Sequence, residues 1–455
     1  MSISVCWFRK DLRLRDNPAW NSACAEGGVI PVFVLEQSLL AASSQRKKDL
    51  FFSNLIALQK ELESLGGYLH IVEGPAKEVL SGLLAKWDAT SLHFNNDQSP
   101  GAKTRDDTIC KPLTIKVTRH WGNLIHSPGA IVSGSGAVHK VFTPFFKKWI
   151  TADTPDVQTS QTPRFCPQPK NSISLPAIGE TSSFPAGSAG AHKRLESFLN
   201  RIEGYEEARD FPSVKGTSLL SSDLHFGTIG PREILDFAAQ ETVDSSAFIR
   251  QLAWRDWYAH LMNAKPEIVN SPANPIYNKI KWKNDTEEFD LWVQGKTGYP
   301  IVDAGMRELR ETGFMHNRVR MITGSFLVKH LLIDWRWGEK YFRHALLDGD
   351  TSQNVGNWQW VAGTGFDAAP YFRIFNPIRQ SEKFDKDGNY IRQWVPELSS
   401  LSSKRIHSPW EINEKKPELV SVRLGEDYPL PIVEHSFARE RCLETYKQAR
   451  SEATQ

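Results

Sequence analysis

The residues best suited to chemistry lie on a segment with helical spacing in the second half of the chain. On a helix over residues 247–263, four side chains share one face because they are spaced i, i+3, i+4 and i+7: Gln251, Trp254, Arg255 and Tyr258. That face combines an amide, a large ring, a guanidinium and a phenol, whereas a buried helix face is normally aliphatic. From this segment alone, an amphipathic helix with a polar rim is the favoured interpretation.

Two further segments carry groups that could bind a ligand. Residues 316–332 have helical spacing and place Asn317, Arg320 and Met321 on one face. Residues 216–221 (GTSLLS) precede a helical segment, and their hydroxyls and backbone N–H groups could hold a phosphate at a helix N-terminus. A Ser or Thr that caps a helix is the commoner use of such residues.

Two acidic residues close together follow the segment 316–332. Asp348 and Asp350 are carboxylates one residue apart, with Asn354 shortly after them. Such a pair indicates a cation site or partners for an arginine, and an ion pair with Arg320 is the structural alternative. The two interpretations are compatible, because an Arg–Asp pair can line a pocket. Residues 357–377 are rich in rings and small side chains, so the segments together describe a helical domain with an aromatic, arginine-lined cavity.

Composition narrows the class of protein. The net charge of +2 comes from 55 basic and 53 acidic residues and neither indicates nor excludes a nucleic-acid partner. The five cysteines are scattered without a CxxC pair, which argues against a disulfide framework or an ordinary zinc site. No stretch is long and apolar enough to cross a membrane, and the N-terminus does not have the order of a signal peptide, so we expect a cytoplasmic protein.

Tryptophan is the unusual component. The chain has 15 tryptophans, and ten of them lie between Trp254 and Trp410. On composition alone a Trp-rich helical core is the favoured explanation. Stacking surfaces or an electron path is the alternative.

The first part of the chain alternates strand and helix signals. Strands are predicted at Ile3–Phe8, 29–35, 68–72, 91–94 and 114–118, and helices at 48–65 and 76–87. This alternation predicts a doubly wound parallel sheet. No GxGxxG motif follows the first strand, so a dinucleotide site of the Rossmann kind is not indicated there.

The rest of the chain changes character twice. Pro, Ser, Thr and Gly dominate after the sheet and predict a long connector, and helical periods dominate after it. Helices are predicted at 193–202, 231–240, 247–263, Pro300–Thr312, 316–332 and 437–450. We therefore predict an α/β + α fold: an α/β domain over 1–126, an inter-domain connector over 127–190 and an all-helical domain over 191–455.

Long motifs then identify a resemblance that runs nearly from end to end. They are WFRKDLRLRDN at 7–17, RDFPSVKGTSLLS at 209–221, LAWRDWY at 252–258, KTGYPIVDAGMREL at 296–309, GFMHNRVRMITGSFL at 313–327, IDWRWGEKYF at 333–342, NWQWVAGTGFDAAPYFRIFNP at 357–377 and YPLPIVEH at 428–435. In their order and spacing these motifs resemble the photolyase/cryptochrome family, specifically its bacterial class I branch, which repairs cyclobutane pyrimidine dimers.

The resemblance implies FAD bound in a U shape inside the helical domain, and it implies that the α/β domain is of the antenna type. Matching positions for the phosphates and the adenine side are Tyr205, Thr217, Ser218, Leu219, Leu220 and Ser221. Those for the isoalloxazine and ribityl region are Gln251, Arg255, Asn317, Arg320, Asp348, Gly349, Asp350 and Asn354. Asn354 would face flavin N5, where an amide can both donate and accept, which suits repair chemistry.

The resemblance also implies the reaction. Reduced FAD absorbs blue light and passes an electron to the dimer, the dimer splits, and the electron returns. Photolyases take the dimer out of the duplex to do this. The implied catalytic set is Gln251, Trp254, Asn317, Met321, Asn354 and Trp360, with Trp254 and Trp360 on either side of the dimer. The implied DNA contacts are Arg209, Gln251, Trp254, Tyr258, Asn317 and Arg373, and the implied electron chain to the flavin is Trp358, Trp335 and Trp282.

Two positions depart from the family pattern. Gln251 stands where the family has a glutamate that stabilises the dimer anion, so we expect binding to survive and repair efficiency to change. Gly101 and Ala102 stand where folate-binding relatives have Asn and Glu. The second, antenna chromophore is therefore left open between a deazaflavin, methenyltetrahydrofolate, another flavin and none.

Damaged DNA is the partner implied for a protein that we expect to be monomeric. A cryptochrome-like photoreceptor without repair activity is the alternative function. Repair of the (6-4) photoproduct is discounted, because Asn317 and Met321 stand where those enzymes have a pair of histidines.

Overall fold

A computed structural model describes residues 2–176, 178, 184–411 and 422–453. The chain forms two compact units, each assembled from separated stretches of sequence. The first unit consists of Met1–Glu203, Ser218–Pro266 and Leu347–Ser352, and the second of Gly204–Thr217, Glu267–Leu346 and Gln353–Gln455. The predicted domain boundaries at 126/127 and 190/191 stay predictions.

The first unit contains a five-stranded sheet that is parallel throughout, as predicted. Its strands are β1 Ile3–Phe8, β2 Gly28–Leu35, β3 His70–Glu73, β4 Ser91–Asn95 and β5 Lys116–His120, in the spatial order β3-β2-β1-β4-β5. The central strand β1 has both faces buried: Cys6 and Phe8 pack on one side, and Val5 and Trp7 on the other.

The fifth strand begins two residues later than predicted. Its pairing with β4 starts at Lys116, opposite Ser91, and runs to His120, opposite Asn95. This is an edge strand whose residues are only partly covered, so its own hydrophobic pattern is weak. The partner strand, rather than local alternation, sets where β5 begins.

Helices make up most of the remaining described chain. In chain order they are α1 Pro18–Glu26, α2 Gln37–Ala41, α3 Gln45–Ser64, α4 Ala76–Lys86, α5 Pro100–Cys110, α6 Phe142–Trp149, α7 Gly187–Leu199, α8 Tyr205–Ala208, α9 Ser221–Phe226, α10 Pro231–Ala239, α11 Ser246–Ala264, α12 Thr286–Gln294, α13 Pro300–Thr312, α14 Asn317–Ser325, α15 Trp335–Ala345, α16 Thr351–Ala362, α17 Pro377–Phe384, α18 Asn389–Trp394 and α19 His435–Glu452. None of the described helices is long and apolar enough to cross a lipid bilayer.

The predicted connector carries more structure than its composition indicates. It contains helix α6, whose Phe142, Phe145 and Trp149 are buried. Further on, the backbone near Phe165 bonds to β2 on both sides of Val29 at 2.8 and 3.1 Å. Parts of the connector, residues 177 and 179–183, lie outside the described chain. The predicted connector is thus partly ordered, and at α6 the order comes from packing rather than from a long helical period.

The predicted helix over 316–332 is present but changes pitch. It runs as α14 to Ser325 and continues as a π-helical turn over Phe326–His330, closed by a 3.1 Å bond from the Leu331 N–H to the Phe326 oxygen. Lys329 on this turn is buried, and its Nζ donates to the Ala362 oxygen at 2.7 Å. Burial lowers the pKa of Lys329 to about 8.

Candidate functional site

Helix α11 carries four predicted site residues. Gln251, Trp254 and Arg255 are half-buried and Tyr258 is buried, all in the first unit. The Gln251 Nε2 donates to the Ala247 oxygen at 3.3 Å, one turn back along the helix. The helical spacing inferred from sequence is therefore confirmed.

The Trp254 indole is held between aromatic rings. Phe142 stacks on it with 3.7 Å between ring centroids and 10° between the planes. Trp257 meets it edge-on at 5.2 Å, and Tyr258 lies at 5.8 Å. Phe142 was missed by sequence reasoning, because it is more than a hundred positions from Trp254 and lies in the presumed connector.

Arg255 joins separate parts of the first unit. Its Nη1 donates to the Asn123 oxygen at 2.6 Å, and its Nη2 donates to the Leu224 oxygen at 3.3 Å. Leu224 belongs to α9, the short helix that follows the GTSLLS segment. Arg255 therefore fixes the position of α9 relative to α11.

The GTSLLS segment has an unusual backbone. Leu219 adopts a left-handed conformation with φ of 57°, which is costly for a residue with a side chain. The Ser218 Oγ accepts a 3.4 Å bond from the Leu220 N–H, and α9 begins at Ser221. Strained residues of this kind are concentrated at ligand-binding positions, which is consistent with the predicted role of this loop.

A group of cationic side chains surrounds the same part of the first unit. His225 on α9 is buried and its pKa is held well below the usual value, first by burial and then by Lys47, Lys10 and Arg255. The Nδ1 atom of His225 is buried without a hydrogen-bond partner among the described residues. Sequence reasoning gave no role to Lys10, Lys47 or His225, since nothing in their spacing links them.

The Asp348–Asp350 loop also belongs to the first unit. The Gly349 oxygen accepts a 3.4 Å bond from Lys47 Nζ, and the Asp350 Oδ1 accepts a 2.9 Å bond from the Ser352 N–H. Asp350 contributes, after Asp97, to the raised pKa of Lys10. Arg320 belongs to the second unit, so its predicted ion pair with Asp348 stays a prediction.

In the second unit, Asn354 is oriented by a buried acid. Its Nδ2 donates to the main-chain oxygen of Glu339 at 2.8 Å and to the Glu339 Oε1 at 3.0 Å. Burial raises the pKa of Glu339, which also lies 3.2 Å from Arg343. Because Nδ2 already donates to these two oxygens, Oδ1 is the atom that Asn354 offers to a ligand. Of the two predicted abilities of this amide, donating and accepting, only accepting fits this arrangement. Glu339 lies within a family motif, but sequence reasoning gave it no role.

Helix α14 carries the next predicted group, also in the second unit. Asn317 is exposed, and its Nδ2 lies 3.9 Å from the Met321 Sδ one turn further on. The Arg320 Nε donates to the Met315 oxygen at 2.7 Å. The His316 ring accepts from the Arg318 N–H at 3.2 Å and so caps the start of the helix. The predicted proximity of Asn317 and Met321 is thus confirmed.

Two predicted site residues lie at or after the end of α16. Trp360 is half-buried, and its main-chain oxygen accepts bonds from the Gly363 and Ala369 N–H groups, both at 3.2 Å. Arg373 is exposed next to Phe372, whose side chain is 62% exposed. Exposed cationic and aromatic side chains are typical of surfaces that bind nucleic acid.

Two predicted residues precede the GTSLLS segment in the second unit. Tyr205 is buried and Arg209 lies over its ring, with 5.5 Å from the guanidinium carbon to the ring centroid. Burial raises the pKa of Tyr205. Asp210, the residue after Arg209, forms an ion pair with Arg318, with 2.7 Å between its Oδ1 and the Arg318 Nη2. This ion pair links residues 205–210 to α14.

The three tryptophans predicted to conduct electrons all belong to the second unit. Trp358 and Trp335 are buried, whereas Trp282 is half-buried. Trp358 has ring contacts with Phe342 at 5.0 Å and Trp292 at 6.3 Å, and Trp282 meets Tyr446 at 6.2 Å. In the described part of the chain no ring contact joins the three to one another, so their order as a chain stays a prediction.

Comparison with known proteins gives matches along most of the sequence. Residues 4–164 match the DNA photolyase family, and residues 248–448 match the FAD binding domain of DNA photolyase. The deoxyribodipyrimidine photo-lyase of Agrobacterium fabrum is 41% identical over 97% of this chain and 97% of its own length. That of Escherichia coli is 38% identical over 99% of each chain. A crystal structure of a bacterial class III photolyase from Agrobacterium tumefaciens superposes with a TM-score of 0.92 at 38% identity, covering 99% of this chain and 98% of that one.

Proposed function

The chain belongs to the photolyase/cryptochrome family, and from this membership we propose that it is a blue-light-driven enzyme that repairs cyclobutane pyrimidine dimers in DNA. Relatives named deoxyribodipyrimidine photo-lyase match it over nearly their whole length. The observation that carries the proposal is the Asn354–Glu339 pair, because an amide oxygen held in place can accept a bond from flavin N5 when N5 carries a hydrogen, as it does in reduced FAD.

The chemistry of the described residues fits FAD. When bound, FAD supplies the absorption of blue light and the electron that opens the dimer. The cationic surroundings of His225, including Lys47 and Arg255, suit the negative phosphates of that cofactor. Asn354 offers one well-oriented acceptor. We assign FAD binding to these groups together with the positions implied by the resemblance: Tyr205, Thr217, Ser218, Leu219, Leu220, Ser221, Gln251, Asn317, Arg320, Asp348, Gly349 and Asp350.

The protein contributes orientation and exclusion of water rather than bond chemistry. Glu339 holds the Asn354 amide, so the oxygen that accepts a hydrogen bond does not have to reorient during the reaction. Trp254 and Trp360 supply flat apolar surfaces that can stack on the flipped-out pyrimidine dimer. Asn317 and Met321, one turn apart on α14, would contact the pyrimidines, while Arg209, Tyr258 and Arg373 would contact DNA around the lesion.

Gln251 modifies this scheme. A glutamine keeps an oxygen that can accept a bond and adds a donor, but it carries no charge. We expect Gln251→Glu to leave the Kd for dimer-containing DNA within about threefold and to change the quantum yield of repair. An unchanged quantum yield would show that this position does not act in the reaction.

Several finer assignments accompany the proposal. We propose that Trp358, Trp335 and Trp282 carry electrons to the flavin and that the protein acts as a monomer in the cytoplasm. The antenna chromophore that we propose to test for is a deazaflavin, a methenyltetrahydrofolate or a second flavin. The motifs favour class I, whereas the matching Agrobacterium tumefaciens structure is named as class III. Mass analysis of chromophores released from the purified protein identifies the antenna.

The test of the proposed function is light-dependent repair. The purified protein is reduced with light, mixed with irradiated DNA, and the loss of thymine dimers is followed against a dark control. Loss only under light supports the proposal. Photoreduction without dimer loss would contradict it and would favour the cryptochrome-like photoreceptor, unless Gln251→Glu restores repair, which would attribute the loss to that residue.

A further inference from the structure

We propose that Phe142 is a positioning residue for damage recognition, acting through Trp254. The inference rests on the proposed function, since it concerns the indole that would stack on the dimer. It adds a residue from α6, a helix in the presumed connector, to the machinery that selects the substrate.

The contact between the two rings is unusually close and flat. Phe142 is 1% exposed and stacks on Trp254 at 3.7 Å with 10° between the planes. Most aromatic pairs in proteins are offset or edge-on. Trp257 is edge-on to both rings, at 5.2 Å from Trp254 and 5.9 Å from Phe142. Phe142 on one face of the indole and Trp257 edge-on to it together fix the orientation of the Trp254 ring.

Helix α6 is itself fixed to α11 by buried polar bonds. The Trp149 Nε1 donates to the Asp256 Oδ2 at 2.9 Å, and the same carboxylate accepts the backbone N–H groups of Ile125 and His126 at 3.3 and 3.0 Å. At the other end of α6, the Trp257 Nε1 donates to the His139 oxygen at 2.8 Å. Phe142 thus presses on Trp254 from a rigid support.

A cation reinforces the same contact. The Arg250 guanidinium carbon lies 4.9 Å from the ring centroids of both Phe142 and Phe146. Arg250 is on α11, one turn before Trp254, so it adds a further link between Phe142 and this helix. The ring of Phe142 is therefore restrained by three side chains of the helix that carries the predicted dimer-binding face, Arg250, Trp254 and Trp257.

A stacking residue that is already held in place loses less freedom when its ligand binds. Without the Phe142 ring, Trp254 would sample more orientations. Dimer binding would then weaken, whereas flavin binding and photoreduction would not change. We therefore expect a change in discrimination between damaged and undamaged DNA.

The experiment compares Phe142→Leu with Phe145→Leu in the flavin-loaded, full-length protein. Phe145 is buried on the same helix, but its ring meets His260 rather than Trp254. The probes are two duplexes that differ only in a single thymine dimer, and the readouts are both Kd values and the rate of flavin photoreduction. We expect Phe142→Leu to weaken dimer binding about five- to tenfold, with undamaged-DNA binding and photoreduction unchanged, and Phe145→Leu to leave discrimination unchanged.

Two further variants keep the inference falsifiable. Phe142→Tyr retains the stacked ring and is expected to keep discrimination within about twofold of the wild type. In a Trp254→Phe background, Phe142→Leu is expected to have a smaller effect than in the wild type, because the two residues act together. If Phe142→Leu does not accumulate with bound flavin, Phe142→Met replaces it in both comparisons.

The outcomes separate the inference from the proposed function. Equal discrimination in Phe142→Leu and the wild type, or equal losses in Phe142→Leu and Phe145→Leu, would overturn the inference alone. A wild-type protein that does not prefer the dimer-containing duplex would contradict the proposed function, and the positioning role with it.

Discussion

Asn354 and Glu339 form a two-point contact in which a single amide nitrogen bonds both to the main chain and to the carboxylate of the same residue, at 2.8 and 3.0 Å. Both groups are buried, and they lie on successive helices, α15 and α16. The contact orients the Asn354 amide, so that its Oδ1 is the atom that can accept a bond. Asn354 was predicted to face flavin N5, whereas Glu339 had no predicted role.

Removing the carboxylate should therefore act on the flavin through Asn354. We expect Glu339→Ala to lower the yield of light-reduced flavin and to speed its reoxidation about fivefold, the effect of one lost hydrogen bond of ~1 kcal/mol. Absorption spectra recorded during illumination and dark recovery measure both. Glu339→Gln keeps an accepting oxygen and should behave nearly as the wild type, whereas equal effects of the two variants would count against this explanation.

The buried carboxylate of Asp256 should be important for stability. It accepts bonds from the N–H groups of Ile125, His126 and Trp149, and Asp256→Ala would leave these three donors buried without a partner. We expect a loss of ~3 kcal/mol or more and a clearly lower thermal midpoint. Asp244→Ala is the control, because Asp244 is exposed and accepts its bond from the equally exposed Ser246 at the start of α11. Equal midpoints in the two variants would contradict the prediction.

Stability should fall in mild acid because of a buried histidine, His330, that is paired with the half-buried His435. His330 is buried, its Nε2 lies 2.8 Å from the His435 Nδ1, and burial lowers its pKa from 6.5 to about 3. The unfolded chain takes up this proton more readily than the folded one, so the stabilisation is complete above pH 6.5 and is lost as the pH falls toward 3.

The measurement is the thermal midpoint between pH 7.5 and 4 for the wild type and His330→Gln. Glutamine cannot titrate, so the variant should lose less stability across this range even if it is less stable at pH 7.5. Parallel curves for the two proteins would assign the acid sensitivity to other groups, such as His316, whose pKa burial lowers to about 4.

The half-buried Trp282 should matter for photoreduction and not for repair. If Trp282 is the last residue of the electron chain, Trp282→Phe should slow light-driven reduction of the flavin more than tenfold, because phenylalanine is much harder to oxidise. A tenfold slower rate corresponds to a barrier higher by ~1.4 kcal/mol. Repair by chemically reduced protein should stay unchanged. Trp337, also half-buried and in ring contact with Phe289 at 5.3 Å, is the matched control. A similar loss in Trp337→Phe would instead indicate a path through that cluster.

Local signals predicted the elements with long or strongly apolar periods well and left many shorter helices unpredicted. The bounds of α13 are the predicted ones, because Pro300 occupies the first turn and Gly313, with φ of 73°, ends the helix. Strand β1 also has the predicted bounds, since its apolar run is buried on both faces. The fold class and the family followed from such periods and from motifs that are contiguous in sequence.

Helix α6 shows where local signals fail. It has eight residues, too few to give a clear period, and it lies in a stretch dominated by Pro, Ser and Thr. It is fixed by Trp149 bonding to Asp256 and by Phe142 packing on Trp254, partners more than a hundred residues away. Short helices gain most of their stability from tertiary packing.

The sequence by itself determined the family, the parallel sheet and the side chains that can do chemistry. Each of these can be recognised from a contiguous motif or from the regular spacing of apolar residues. Only the tertiary structure decided which residues orient them. Glu339, which accepts a bond from Asn354, and Phe142, which stacks on Trp254, have no distinguishing feature in the sequence. Their roles come from contacts between elements, which depend on how distant segments pack and leave no local pattern to detect.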